Sequence, residues 1–547
     1  PAENIKISIM SMKLKILLVS NQVRGIDGTG GLGDVATALA KAFALHEDID
    51  IRVLMPGYQT ISGKGINDRF HTVITKDISV PFGDKIRSAH ICQYMLPKSH
   101  SDEPSVPCYL LCIEEFDQAK DLPEQAILLC RGTIEFLRVF ENFRPDIIHC
   151  NDWHTGLIPV YLNTLYGKDP YLGRIATLYT THNVGYFYQG AFPDKAYPTP
   201  AEKLLYLAGL GSWAFQPLQT RSLEHQTRFN FTKGGLGFAD LINTVSITYS
   251  HEIQTQAFGG GFEHLLQERS RDLCGIVNGI DTAEWNPADD PNISPYNYSK
   301  SDAINVILKQ KRHIRQLLKS WGRDNHKPFS GLKNDTHLLS LIGRLSDQKV
   351  AILMPMLEKI CGLENIQIIV LGASHPLDSH GKQYATQIRR LADMPENQMF
   401  FFEGFEPELS HLIYAASDML LMPSTYEPCG LAQLISMRYG TVPVVRFTSG
   451  LVDTVVDEQA GLNGNGFGFK EPVSDSFAMA NIPHAAELLL VTIGRTIEIC
   501  NKNPKRWGEL VKNGMVKDSS WAIPANQYMK IYHEAIDRRV RFNFLSA

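Results

Sequence analysis

Short apolar strands that alternate with helical segments constrain the fold of this chain most strongly. A first series consists of Lys15–Ser20, Ile51–Met55, Asp146–Cys150, Ile175–Thr180 and Leu241–Val245. A second series consists of Leu338–Ile342, Ile366–Leu371, Met399–Phe402, Met419–Met422 and Val442–Val445. Continuous apolar strands joined by helical patterns such as Asp34–Ala44 indicate parallel sheets that are covered on both faces.

A polar stretch, Asn286–Asp335, separates the two series and contains a helix-like run, Asn305–Lys319. A chain of 547 residues is too long for one hydrophobic core. We therefore predict an α/β fold of two Rossmann-like, doubly wound domains that face each other across a cleft. The first covers residues 1–265 and is completed by a C-terminal helix in 521–547, and the second covers 266–520. Ligands of such sheets bind beyond the carboxyl ends of the strands.

The composition is that of an ordinary folded protein, with 44% apolar and 20% charged residues. A net charge of -5 argues against a large nucleic-acid-binding surface. No apolar run has the length of a membrane span, and Pro1–Met12 lacks the layout of a signal peptide. The nine cysteines are scattered without a C-x-x-C pair, which suits a reducing compartment and does not support a zinc site. These features predict a cytoplasmic protein, and they leave its oligomeric state open.

A glycine-rich loop, Gly28–Asp34, contains the G-x-G-x-x-G pattern of dinucleotide-binding folds. Two features disfavour NAD as its ligand. The loop begins eight residues after Ser20, whereas that motif requires an immediate turn, and the second strand ends at Met55 without an acid for a ribose. The glycines and the following helix N-terminus nevertheless suit an anion. A glycine-rich turn without a ligand is the alternative.

A set of short segments runs in a fixed order along nearly the whole chain. They are TGGLGDV at 29–35, NDWHTGL at 151–157, THN at 181–183, NGID at 278–281, WNP at 285–287, GRLSDQK at 343–349, PSTYEPCGL at 423–431, YGTVP at 439–443 and GLVDTV at 450–455. This ordered set resembles bacterial glycogen synthases and plant starch synthases, which have the GT-B fold. The resemblance implies a retaining glucosyltransferase that moves glucose from ADP-glucose or UDP-glucose to the non-reducing end of an α-1,4-glucan.

Departure of a nucleoside diphosphate builds up negative charge, which either a metal ion or fixed cations must neutralise. Arg344 and Lys349 lie at the end of a strand, and the resemblance assigns them to the phosphates with no metal or other cofactor required. No D-x-D metal motif stands out. The alternative for this Arg and Lys is a solvated helix start.

The segment around Glu427 is implied to bind the sugar of the donor. The resemblance implies that the Glu427 carboxylate binds glucose hydroxyls, while the backbone N–H groups of Cys429, Gly430 and Leu431 contact the sugar and phosphate. In the alternative interpretation, Glu427 only complements the dipole of a helix that starts near Pro428.

On the first domain, Asp152 and His182 resemble residues that line the cleft of the family. The resemblance implies that His182 contacts the glucose or the leaving phosphate without acting as a nucleophile, because related retaining enzymes use front-face displacement. Lys233 lies near the cleft or has a structural role, and Phe405 packs against the base or in the core. The remaining nucleotide-sugar contacts implied are Thr29, Gly30, Gly31, Asn183 and Gly343.

The sequence departs from the family pattern in the first domain. Asn21 replaces the usual Glu, Arg24 replaces a Pro, and Gly28 replaces a Lys that is associated with the donor phosphates. A charge-assisted contact of that type is commonly worth about 1.5–3 kcal/mol, and whether Arg24 substitutes for it is open. The aromatic stretch Phe192–Phe229 suggests a lid or acceptor surface. Two rivals therefore remain: transfer to a non-glucan acceptor, and a catalytically weakened homologue that binds glucan or nucleotide sugar.

Overall fold

The computed structural model describes residues 13–27, 30–58, 72–98, 104–117, 123–221, 226–325, 329–394, 398–471 and 481–546. The chain divides into two compact α/β units. The first unit contains Pro1–Thr244, Gly259–Ile276 and Trp521–Ala547, and the second contains Val245–Phe258 and Val277–Ser520. Within the described part of the chain, none of the helices has the length and hydropathy needed to cross a membrane.

This division differs from the predicted boundary at residue 265 in two short segments. Leu273–Gly275 is a strand that pairs with Leu241–Thr244, so it belongs to the sheet of the first unit. The helix Ile247–Glu252 belongs to the second unit through hydrogen bonds that no sequence pattern reveals. The N–H and hydroxyl of Thr248 donate to Asp453 over 2.9 and 2.6 Å, and the Ser449 N–H donates to the Glu252 carboxylate over 3.1 Å.

The first unit is built on a large mixed sheet and a small antiparallel one. Its strands are β1 (Leu14–Val19), β2 (Ile49–Pro56), β3 (Thr72–Phe82), β4 (Lys85–Met95), β5 (Pro107–Cys112), β6 (Ile147–Asn151), β7 (Ala176–Thr181), β8 (Ala191–Phe192), β9 (Gln219–Arg221), β10 (Thr227–Asn230), β11 (Leu241–Thr244) and β12 (Leu273–Gly275). The order in the large sheet is β12-β11-β7-β6-β1-β2-β5-β4-β3, and β8-β10-β9 form the small sheet. All neighbours in the large sheet are parallel except β5-β4 and β4-β3.

Helices cover the large sheet and fix its carboxyl ends. They are Gly31–Ala44, Pro123–Val139, Leu157–Asn163, Ala201–Leu207, Phe215–Leu218, Phe231–Phe238, Glu263–Glu268 and Ala522–Ser546. The central strand β1 is apolar and buried at Ile16–Val19, as expected for a parallel strand with helices on both sides. The aromatic stretch Phe192–Phe229 contains two of these helices and parts of the small sheet.

The C-terminal helix, Ala522–Ser546, is attached to the first sheet by a buried polar network. Tyr532 donates its hydroxyl proton to His149 Nδ1 over 2.8 Å, and His149 Nε2 lies 2.7 Å from the Thr180 hydroxyl. The Thr180 hydroxyl donates to Asn243 Oδ1 over 3.0 Å, so it accepts from His149 Nε2–H. Tyr528 donates to the same Asn243 oxygen over 2.8 Å. The helix thereby contacts β6, β7 and β11.

The second unit has one six-stranded parallel sheet. Its strands are β13 (His337–Ile342), β14 (Ile366–Gly372), β15 (Met399–Glu403), β16 (Met419–Met422), β17 (Val442–Arg446) and β18 (Phe467–Phe469). They are arranged in the order β15-β14-β13-β16-β17-β18, which is the strand order of the dinucleotide-binding fold. Its helices are Ile247–Glu252, Ile304–Asp324, Asp347–Val350, Leu357–Cys361, Ser379–Ala392, Pro407–Ala416, Ala432–Arg438, Gly450–Thr454, Ile482–Lys502 and Pro504–Val516.

Candidate active site

Two loops that follow neighbouring strands of the second sheet are joined by hydrogen bonds. One follows β13 and leads into the helix Asp347–Val350, and the other follows β16. The Thr425 N–H donates to the Gln348 carbonyl over 2.8 Å, and Gln348 Nε2 donates to the Tyr426 carbonyl over 3.1 Å. Because β13 and β16 are parallel neighbours, their carboxyl ends lie at the same edge of the sheet. The two loops therefore form one surface there.

An ion pair between Lys349 and Glu427 lies on this surface. The Lys349 ammonium binds Glu427 Oε2, and the Ser424 hydroxyl donates to the same oxygen over 3.0 Å. Glu427 is 5% exposed, whereas Lys349 is half-buried. Both contacts that described residues make to this carboxylate involve Oε2. Oε1 is therefore left for a ligand. The ammonium also keeps donors beyond the one that it gives to Glu427.

The loop Glu427–Leu431 precedes its helix rather than beginning it. The helix starts at Ala432 and not near Pro428, so the alternative in which Glu427 only complements the dipole of a helix that starts near Pro428 lacks its premise. Gly430 has φ of +75°, a conformation that side chains disfavour, and a Cβ there would lie 2.4 Å from Gln433 Oε1. Gln433 Nε2 holds the loop by donating to the carbonyls of Cys429 and Gly430, both over 3.0 Å.

The thiol of Cys429 is a packing group. Its side chain is buried, and burial raises the pKa of the Cys429 thiol to about 12. The neutral thiol is thus the form present at neutral pH, and Cys429 is not an activated nucleophile. A Cβ on Gly450 would lie 2.4 Å from the Cys429 Cα, so the backbone of the loop packs directly on the helix Gly450–Thr454.

Three further predicted donor-side residues lie at carboxyl ends of strands in the same sheet. Gly343 and Arg344 follow β13 directly, and the Arg344 side chain is exposed. Phe405 follows β15 by two residues and is 62% exposed. Its ring therefore does not pack in the core, which was one of the two predicted alternatives.

On the first unit, Asp152 and His182 lie together at the carboxyl ends of β6 and β7. Asp152 has φ of +55° directly after β6, a conformation that non-glycine residues seldom adopt. Its carboxylate accepts the backbone N–H of His182 over 2.7 Å. His182 Nε2 lies 3.1 Å from Asn151 Oδ1. Asn151 Nδ2 donates to the Val19 carbonyl, so Asn151 Oδ1 is the acceptor and His182 Nε2 carries the proton.

The electrostatic surroundings of His182 favour the neutral imidazole. Burial lowers the pKa of His182, and the nearby Asp152 carboxylate only partly opposes this effect. The adjacent Asn183 shapes the next turn, because its Oδ1 accepts the Gly185 N–H over 2.8 Å. The structure thus brings Asp152, His182 and Asn183 together at the carboxyl ends of β6 and β7.

The glycine loop of the first unit is described in part. Thr29 and Gly28 lie outside the described residues, whereas Gly30 is the N-cap of the helix Gly31–Ala44. Among the described residues, no atom lies within 4 Å of a Cβ added on Gly31. Arg24 Nη1 donates to Asp34 Oδ1 over 2.9 Å. Arg24 is therefore bound to the first turn of that helix.

A cavity of about 210 Å³ lies in the first unit beside the segment Tyr186–Tyr188. Arg221, Arg228 and Lys233 are among its lining residues. Lys233 Nζ donates to the Gln219 carbonyl over 2.8 Å, and burial lowers the pKa of Lys233. The neighbouring Phe187 ring is 92% exposed. The aromatic segment Tyr186–Tyr188 thus borders a cationic cavity.

Sequence reasoning missed the residues that position the predicted ones. Ser424, Gln348, Gln433 and Asn151 hold Glu427, its loop and His182 by the hydrogen bonds given above. Ser424, Gln348 and Asn151 stand inside the quoted motifs, which was the signal that could have found them. Gln433 lies just after such a motif and contacts the carbonyls three and four residues before it, whereas Asn151 contacts His182, which only the folded chain brings near.

Family models of glycosyltransferases match both units. A model described as "Starch synthase catalytic domain" matches residues 15–268, and one described as "Glycosyl transferases group 1" matches residues 322–481.

Glycogen synthases are similar to this chain over nearly its full length. That of Thermosipho africanus is 35% identical over 96% of this chain and 100% of its own. Those of Desulforudis audaxviator and Thermotoga maritima are 36% and 35% identical over 96% of this chain and 97% and 99% of their own. The catalytic domain of starch synthase IV from Arabidopsis thaliana, solved with ADP and acarbose, superposes with a TM-score of 0.80. It is 26% identical and covers 96% of this chain and 100% of that one.

Two Rossmann-like units, each matched by a glycosyltransferase model, define a glycosyltransferase of the GT-B class. The length and identity of the matches settle the family. The chain belongs to the glycogen and starch synthases, enzymes that extend an α-glucan with glucose from a nucleotide sugar.

Proposed function

We propose that this enzyme transfers glucose from ADP-glucose to the non-reducing end of an α-1,4-glucan with retention of configuration. The Lys349–Glu427 pair carries the proposal. Ser424 and Lys349 hold Glu427 Oε2 and leave Oε1 for a sugar hydroxyl. The Lys349 ammonium, which retains donors, meets a phosphate oxygen of the same donor. The choice of adenine is supported by the ADP bound to the starch synthase IV structure.

Arg344 joins Lys349 in neutralising the leaving diphosphate, without a metal ion or other cofactor. Arg344 follows the same strand, β13, and its exposed guanidinium suits a bidentate phosphate contact. Gly343 and the backbone N–H groups of Cys429, Gly430 and Leu431 approach the sugar and phosphate. The exposed ring of Phe405 stacks on the base.

His182 contacts a glucose hydroxyl rather than the leaving phosphate. Its Nε2–H is directed to Asn151, so the neutral ring offers an acceptor at Nδ1. An acceptor nitrogen suits a hydroxyl proton and repels a phosphate oxygen. Asp152 positions His182 through the backbone N–H that it accepts. Thr29, Gly30, Gly31 and Asn183 contribute further nucleotide-sugar contacts from the first unit.

The acceptor is an α-glucan, and the exposed Phe187 ring is a candidate platform for its sugar faces. Acarbose in the starch synthase IV structure supports an oligosaccharide acceptor. A cytoplasmic location is proposed because all nine cysteines are free of disulfide bonds.

The test is nucleotide release from ADP-glucose and UDP-glucose, each with and without glycogen. We expect ADP release that depends on glycogen, with a much slower reaction from UDP-glucose. Release that is indifferent to glycogen but is stimulated by a non-glucan acceptor would contradict the proposed acceptor. A faster reaction from UDP-glucose would contradict the proposed donor.

A further inference from the structure

Three soft metal-binding side chains converge on adjacent strands of the first sheet, outside the proposed active site. His90 and Cys92 lie on β4, and Cys112 ends β5. One ligand atom from each, an imidazole nitrogen and two sulfurs, lies within 4.8 Å of the other two. The sequence spacing gave no sign of this cluster, because Cys112 lies twenty positions after Cys92.

The antiparallel register explains why these side chains meet. His90 pairs directly with Cys112, and Cys92 pairs with Leu110. Residues directly opposite each other, and residues two apart on one strand, share a face of the sheet. The packing also makes room for the sulfur, since a Cβ on Gly57 would lie 2.5 Å from Cys112 Sγ. Cys108 shares the face but is not part of the cluster.

We propose that His90, Cys92 and Cys112 form a binding site for a soft or borderline metal ion, with Zn²⁺ as the representative. Two sulfurs and one imidazole are ligands that zinc prefers, whereas Mg²⁺ and Ca²⁺ prefer oxygen. Around a tetrahedral zinc ion, bonds of about 2.0–2.3 Å place ligand atoms about 3.3–3.8 Å apart. The cluster therefore reaches this geometry by small side-chain movements, and a water completes the fourth position.

A disulfide between Cys92 and Cys112 fits the register less well than a metal ion does. The two residues are diagonal neighbours across the strand pair. The Cα atoms of such neighbours lie about 7–8 Å apart. Disulfides usually need Cα atoms within about 7 Å. A metal ion bridges the longer span without backbone movement, and it clamps β4 to β5.

The test uses the full chain, stripped with a chelator and then dialysed against Zn²⁺, with bound metal measured per chain. Co²⁺ replaces zinc in a parallel experiment, because thiolate-to-cobalt absorption bands report sulfur ligation. We expect one zinc per chain and thiolate bands in the wild type. Cys92→Ser and Cys112→Ser should weaken binding by more than about tenfold, since each removes a thiolate.

Two further variants complete this experiment, one as a control outside the cluster and one at the third proposed ligand. Cys108→Ala removes a thiol on the same face outside the cluster and should leave binding unchanged. His90→Gln changes an exposed residue, so it should fold normally and still lower the affinity. Cys500 Sγ lies 3.6 Å from His337 Nδ1 and is the competing location. The proposal is overturned if the wild type takes up no stoichiometric zinc, or if Cys500→Ser abolishes binding that Cys112→Ser leaves intact.

Discussion

Under the proposed function, ligand binding rather than stability explains the partly buried ion pair of Glu427 and Lys349. Removing two charges from water costs several kcal/mol per ion, and their attraction repays this only with good geometry and further hydrogen bonds. Ser424 supplies one such bond on Oε2. Under the proposed function, the second oxygen and the remaining ammonium donors bind the glucose and the phosphate of the donor.

Replacing Glu427 with Gln should therefore reduce catalysis more than stability. Charge-assisted hydrogen bonds are worth about 1.5–3 kcal/mol, and each 1.4 kcal/mol is about tenfold. We expect kcat/KM for ADP-glucose to fall about 10- to 100-fold, measured by ADP release with glycogen. Asp457→Asn is the control, because Asp457 forms a comparable half-buried pair with Arg495 in the same unit. Equal activity of the two variants would show that Glu427 has only a structural role.

At the scale of elements, most of the parallel strands could be predicted because burial on both faces makes them continuously apolar, whereas β5, β12 and β18, which also pair in parallel, were missed. The ten predicted strands are confirmed to within about two residues, and the helix-like run Asn305–Lys319 is confirmed within Ile304–Asp324. The antiparallel strands β3 and β4 were missed. Their register shifts at Val73/Thr75 and Thr75/Ile78 break the alternation of period two by which such strands are recognised.

Individual residues of the candidate site were predictable where they stand inside a sequence motif. Contacts between loops that are distant in the sequence were not predictable. Glu427 and Lys349 were identified from separate motifs, but their pairing depends on β13 and β16 being neighbours. Sequence spacing does not contain that adjacency. The same reason explains why the cluster of His90, Cys92 and Cys112 was not anticipated, since it follows from strand register.

The C-terminal helix should contribute to stability through its bond to His149. Tyr532→Phe removes the donor to His149 Nδ1 and leaves that buried nitrogen unsatisfied, which should cost about 1–3 kcal/mol of unfolding free energy. Tyr528→Phe is the matched comparison. Its acceptor, Asn243 Oδ1, keeps the Thr180 donor, so the loss should be smaller. Chemical denaturation followed by tyrosine and tryptophan fluorescence measures both. Equal losses would contradict the assigned network.

At the scale of the whole molecule, the two units bury different titratable groups and should respond to different pH ranges. Burial lowers the pKa of His149 in the first unit from 6.5 to about 3. Below pH 6.5 the unfolded chain therefore binds a proton at His149 that the folded unit does not bind. The stability of the folded state falls as the pH drops from 6.5 towards 3. Burial also lowers the pKa of Lys311 in the second unit from 10.5 to about 7.

For Lys311 the linkage acts at higher pH. Between pH 7 and 10.5 the unfolded lysine is protonated and the folded one is not, so stability rises with pH by at most about 1.4 kcal/mol per unit. Lys311→Met should abolish this rise, whereas Lys309→Met, at an exposed position of the same helix, should retain it. Urea denaturation at pH 7, 8 and 9 measures the difference. If the unfolding free energies of wild type and Lys311→Met depend on pH in the same way, Lys311 stays charged in the folded unit. The Asp418 carboxylate then stabilises the ammonium despite its burial.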